Sequence, residues 1–190
     1  MKNYKIYIQV VVIVMFIGLV ACNDNNNYFN PKEAIEKEQV LLDDYYSELM
    51  LSGRTRLDSM SAEAIDTVDQ RFENGMMLFH TEIGDGDSVK VFNEVGFRYT
   101  MYEIKQDESG KVYEIPVGSN EYANSPQTYR AYLINDANSS RIQGNPSLGV
   151  NEALQHMRLN GKCKVVLPSN IAGTQFQTVI YELEVTYIQQ

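Results

Sequence analysis

Met157-Arg158-Leu159-Asn160-Gly161-Lys162-Cys163-Lys164-Val165-Val166-Leu167-Pro168-Ser169-Asn170-Ile171-Ala172-Gly173 changes its periodicity part-way along. Its opening closes a helical run in which Val150, Ala153, Leu154 and Met157 fall at i, i+3, i+4 and i+7 and make one apolar face. Asn160-Gly161 supplies the stop, so a helix is expected over 148–159. Cys163, Val165 and Leu167 then alternate with Lys162, Lys164 and Val166 until Pro168 ends the run, which is strand behaviour over 162–167. A helix with one apolar face, followed at once by a strand, implies a helix lying on a sheet.

The rest of the chain agrees with that layer. Over 178–188, Val179, Tyr181, Leu183, Val185 and Tyr187 alternate with Glu182, Glu184 and Thr186. Beyond Gly75 the period changes from helical to alternating, with Val91, Val95, Phe97, Tyr99 and Met101 on one face of an extended segment. A polar turn at 107–111 leads into a strand over 112–117, and 128–134 is a further strand candidate after Pro126. Before these, Asn30-Pro31 offers a helix cap and a first-turn proline, and Ile35, Leu41, Leu42, Tyr45, Leu49 and Met50 have approximate helical spacing up to Gly53. A helix is expected over 31–52, and a shorter one over 61–72 from Ala64, Ile65, Val68 and Phe72. The fold class is therefore α+β: an antiparallel sheet packed on one short helix over 76–190, preceded by a helical segment over 31–75.

The N-terminus specifies location. Lys2 and Lys5 precede an almost wholly apolar run from Ile6 to Val20, and Leu19-Val20-Ala21-Cys22 ends it with a small residue before a cysteine. This is the shape of a secretion signal over 1–21, too short for a spanning helix and followed by no basic stop. The Leu-Val-Ala-Cys string resembles a lipobox, which implies that Cys22 becomes the lipidated first residue; several acyl chains together make such attachment durable. Asn-rich residues 22–30 read as a tether, which places the domain in the cell envelope, most simply on the outer membrane. Sixteen basic against 25 acidic residues give a net charge of −9, and loss of Lys2 and Lys5 makes the mature chain more acidic still. Nucleic acid is a poor partner for such a surface. With Cys22 lipidated, Cys163 has no intrachain partner and reads as a buried, inert thiol.

Reactive chemistry is sparse. His80 and His156 are the only histidines, with no metal-ligand spacing around them, so neither a metal nor a cofactor is expected. Gly84-Asp85-Gly86-Asp87 lacks the other ligands of a calcium loop and reads as a tight acidic turn. Glu182 and Glu184 read as solvated charges on the polar face of a strand.

Taken in order, four strings resemble the FKBP type of peptidyl-prolyl cis-trans isomerase, particularly its lipoprotein branch in the Bacteroidetes. Residues 157–173 resemble that family's helix end, glycine turn, strand and proline loop. Phe97-Arg98-Tyr99-Thr100 resembles an early strand, Gly110-Lys111-Val112-Tyr113-Glu114 a hairpin turn, and Thr178 to Val185 the last strand. The resemblance implies an FKBP-like fold and a proline pocket walled by Tyr99 and Tyr181, with Tyr113 in place of a phenylalanine and Glu114 in place of an aspartate. It sets Ile171 at the rim and Val150 where the family has a floor tryptophan, and 172–176 is shorter than the family's flap. The implied activity is proline isomerisation in exported polypeptides, with no covalent catalytic residue. Two other readings stay open: a binding module of the same fold without turnover, serving as an accessory subunit of an envelope complex or as a holdase, and a small-molecule or glycan-binding lipoprotein. Residues 31–52 could form a homodimer or pack on their own domain.

Overall fold

The computed structural model describes residues 29–51 and 66–190, and residues from Pro31 onward form one compact unit. The expected signal, Cys22, most of the tether and residues 61–65 of the second expected helix lie outside the described residues. No helix among the described residues is long and apolar enough to cross a membrane.

Helix α1 spans Pro31–Leu51. The strands are β1 (Asp66–Gln70), β2 (Met76–Glu82), β3 (Glu94–Gln106), β4 (Val112–Ser119), β5 (Gln127–Arg130), β6 (Lys162–Leu167) and β7 (Val179–Gln189). Helix α2 covers Leu148–Gln155 and a short α3 covers Ser169–Ala172. The strands form one sheet in the order β1-β2-β6-β7-β3-β4, with β5 beside the first part of β3, and every pairing is antiparallel.

Helices cover both faces of this sheet. On the front, Val150, Ala153 and Leu154 of α2, with Met157 beyond it, pack on Leu78, Phe97, Val165, Leu167, Val179 and Leu183. On the back, Leu42, Tyr45 and Tyr46 of α1 pack on Met77, Phe79, Ile104, Val112, Val166 and Ile180. The outer face of α1 carries Glu33–Lys37 and Lys32–Glu36 pairs at helical spacing, too exposed to contribute much. Its inner apolar stripe is what holds it to the domain.

Several expectations change here. Residues 66–70 are a strand on β2 rather than part of a helix, and Phe72 stands 99 % exposed in the turn that follows. The expected boundary at 75/76 therefore falls inside the sheet. Strand β2 lacks alternation because Met76 and Leu78 face one helix while Met77 and Phe79 face the other. Val91 lies in a turn before β3, where Phe92 has φ 71°. Strand β5 stops at Arg130 because the Ala131 N–H turns to the Asn93 carbonyl and Tyr132 bonds to Asn151 instead. Helix α2 ends at Gln155, and Leu159 leaves it to donate to the Asp87 carbonyl.

Candidate functional site

Alternation along β3 and β7 decides what can meet. Met101 lies opposite Tyr181 and Tyr99 opposite Leu183, so both tyrosines point to the front, toward α2. Their rings meet edge to face with centroids 5.8 Å apart. The contact continues inward: Phe97 lies 6.1 Å from Tyr99 and 5.8 Å from Tyr129, and Tyr129 lies 6.2 Å from Tyr132. Five rings thus cross the front face in the tilted and edge-on geometries that aromatic quadrupoles favour. Phe97, Tyr129 and Tyr132 are buried, whereas Tyr99 and Tyr181 are half-buried, so the chain of rings ends in an apolar shelf open on one side.

Polar atoms hold this end of β3. The Tyr99 N–H donates to Asn120 Oδ1 at 2.6 Å, and its carbonyl accepts from the Asn120 N–H at 3.0 Å. Arg98, on the other face, donates from Nη1 to the carbonyls of Asn120, Glu121 and Ala123, pinning the loop after β4. Tyr132 donates to the Pro146 carbonyl at 2.7 Å, whereas the buried Tyr129 hydroxyl has no partner, and burial pushes both phenols well above their ordinary range.

Helix α2 packs into the same front core. Ser147 caps the helix by accepting from the Val150 N–H, and Val150 keeps only 3 % of its surface exposed. Gly149 permits the close approach of the next segment, since a Cβ there would lie 2.9 Å from Leu167 Cδ2 and 3.2 Å from both Cγ1 and the carbonyl oxygen of Ile171. Tyr99, Val150, Ile171 and Tyr181 therefore belong to one cluster, together with Met101 and Leu148. Val150 is buried in it, while Tyr99, Met101, Leu148, Ile171 and Tyr181 pack against it and keep part of their surface open. A cleft of about 890 Å³ lies elsewhere, between α1, the β1–β2 turn and residues 168–176, and is lined by Leu42, Tyr46, Arg71, Pro168 and Phe176.

Tyr113 is 38 % exposed on edge strand β4, opposite Lys105 and outside the cluster. Glu114 does not join the shelf. It pairs with Ile104, whose side chain is packed beneath α1, and so points to the back. There it accepts from Tyr45 at 2.8 Å and from Lys164 at 2.7 Å. Lys164 also approaches Glu182 at 3.7 Å and lies over the Tyr102 ring at 5.4 Å. Tyr102 donates to Glu182, and burial first, then that bond, pushes its phenol up to about 12. Alternation alone permits either face for Glu114; only the helix on the back decides it.

Cys163 is buried with Sγ 3.4 Å from Met157 Sδ, and burial pushes its thiol far up, so no thiolate is available. His156 is exposed, while His80 is buried with Nδ1 unpartnered. Among the described residues, no group of three or more His, Cys, Asp or Glu side chains is placed to hold a metal ion. Phe97, Tyr129 and Tyr132 are the site-forming residues that the sequence did not single out. Tyr129 and Tyr132 lie in a segment dense in tyrosine, which was the available signal.

No protein-family model and no curated protein matches the chain. Among solved structures it is similar to a peptidyl-prolyl cis-trans isomerase from Pseudomonas syringae pv. tomato, at 18 % identity and TM-score 0.47, covering 85 % of this chain and 97 % of that one. It is also similar to FkpA from Escherichia coli, at 15 % identity and TM-score 0.48, covering 95 % and 81 %.

Proposed function

We propose that this chain binds proline flanked by apolar residues on the Tyr99–Tyr181 shelf and accelerates rotation about the preceding peptide bond in exported polypeptides. The half-exposed tyrosine pair, backed by three buried rings and floored by Val150 and Ile171, carries this reading. Such rotation needs no nucleophile or metal. Its barrier, roughly 18–20 kcal/mol, arises from amide resonance, which separates charge in the planar form. An apolar surface that excludes water from one side of the ring disfavours that planar form relative to the twisted one.

A second reading, a binding module without turnover, is supported by the small, closed Val150 floor and by the position of Glu114 on the other face. Exchange of a leucyl-proline peptide, followed by NMR with the full chain in detergent, separates the two. Acceleration that disappears in Tyr99→Ala and Tyr181→Ala supports the isomerase. Peptide binding without acceleration leaves the binding module, and neither result in the parent removes both.

The setting proposed for this activity is the cell envelope, with the chain held by acyl groups on Cys22. Cys22→Ser should release it from membranes, and continued sedimentation with them would overturn the anchor. A homodimer through residues 31–52 would use the outward Ile35 and Val40, because Leu42, Tyr45 and Tyr46 face the sheet.

A further inference from the structure

The loop over 168–178 carries Ile171 to the shelf, and a residue from the opposite face of the sheet holds both of its ends. Glu38 of α1 accepts from the Ser169 N–H at 2.8 Å and from Ser169 Oγ at 2.6 Å. The same carboxylate accepts from Thr178 Oγ1 at 3.0 Å, and Thr178 is buried immediately before β7 begins. One charged group thus closes the loop where it leaves β6 and where it enters β7. Hydrogen bonds to a carboxylate are stronger than those between neutral groups, and here they bridge positions close to each end of the loop.

Within that closure, α3 turns back through Ala172 and Gly173, whose φ is 76°. Ile171 is pressed against Gly149, where only a hydrogen fits. Val150, the next residue, is buried in the core against which Tyr99 and Tyr181 pack. A continuous line of contacts therefore runs from Glu38 through the loop ends to Ile171 and the first turn of α2.

We infer that Glu38 is a positioning residue: it uses α1 as a splint on the back of the sheet to fix Ile171 against Gly149 at the edge of the proline shelf. The role of the shelf rests on the function proposed above, but the splint can be tested apart from it. Helix α1 on this account has two separable duties, covering the back of the sheet through Leu42 and Tyr45 and setting the shelf's edge through Glu38.

The test compares Glu38→Ala with Leu42→Ala in the full chain in detergent, reading amide hydrogen exchange over 168–178, melting temperature, and KM and kcat for a leucyl-proline peptide. Glu38→Ala should speed loop exchange and raise KM about fivefold with kcat nearly unchanged, because a loosened loop is in its binding arrangement less often. Glu38→Gln, which keeps one acceptor oxygen, should fall between the parent and Glu38→Ala. Leu42→Ala should lower the melting temperature more and leave KM as in the parent. Unchanged loop exchange in Glu38→Ala, or an equal rise of KM in Leu42→Ala, overturns the inference. A parent that neither binds nor isomerises the peptide removes the proposed function, and the loop exchange of Glu38→Ala then decides the splint by itself.

Discussion

The two faces of the sheet use tyrosine in opposite ways. On the back, the hydroxyls of Tyr45 and Tyr102 are committed to Glu114 and Glu182, and Lys164 links those two carboxylates. On the front, the rings of Tyr99 and Tyr181 meet each other and leave an outer side to solvent. The back therefore reads as a fastening, and the front is the surface proposed to take an apolar visitor. The partner of each hydroxyl and the exposure of each ring, rather than residue type, separate Tyr45 and Tyr102 from Tyr99 and Tyr181.

Perturbations of the two faces should separate in stability and in binding. Leu154→Ala, in a front-core position with no exposed surface, should cost about 3–5 kcal/mol in a urea melt, the range for a buried leucine whose site cannot collapse. Lys164→Met should cost about 2–4 kcal/mol, since it strips Glu114, itself 10 % exposed, of its counter-charge. Peptide affinity in that variant should equal the parent's; a marked loss would mean that the back lattice takes part in binding. Tyr181→Ala should do the reverse, weakening peptide binding about tenfold, or roughly 1.4 kcal/mol, with a smaller change in stability. Equal affinity in a folded Tyr181→Ala protein would remove the front face as the binding surface.

The smallest expected effect concerns acid. Burial lowers the pKa of His80, with Asp66 opposing, so the unfolded chain protonates first and this residue withdraws stability as pH falls below its ordinary value. Burial raises the pKa of Glu152, with His156 opposing first, so its contribution is present at low pH and is lost as pH rises through the folded value. The two oppose each other as pH falls from the ordinary value of His80 toward that of Glu152. Over that fall, melting temperatures should drop more in Glu152→Gln than in the parent and less in His80→Leu.

Elements bounded by strong punctuation and carrying charged residues at alternate positions were legible in the sequence. Strand β6 was, because Asn160-Gly161 and Pro168 bracket an alternating run, and so was β7, with glutamates marking its polar positions. Strand β2 was not, because burial under both helices removes the alternation that would reveal it. The spacing of Val68 and Phe72 suits a helix, but pairing with β2 overrides it. Within the site, Tyr99, Tyr181, Val150 and Ile171 share a cluster because strand parity and helix phase are local properties. The orientation of Glu114 depends on a helix some seventy residues earlier, connected by Tyr45.

The order β1-β2-β6-β7-β3-β4 also has a consequence in time. Strands β2 and β3 are made early, yet they are joined only through β6 and β7, the last segments of the chain. A polypeptide that emerges N-terminus first cannot zip this sheet until residues 162–189 have followed. Closure of such distant pairs is slow, so β2 and β3 stay unjoined, and the β3 edge that takes β7 stays open even with β4 and β5 in place, for as long as the end of the chain is still to come.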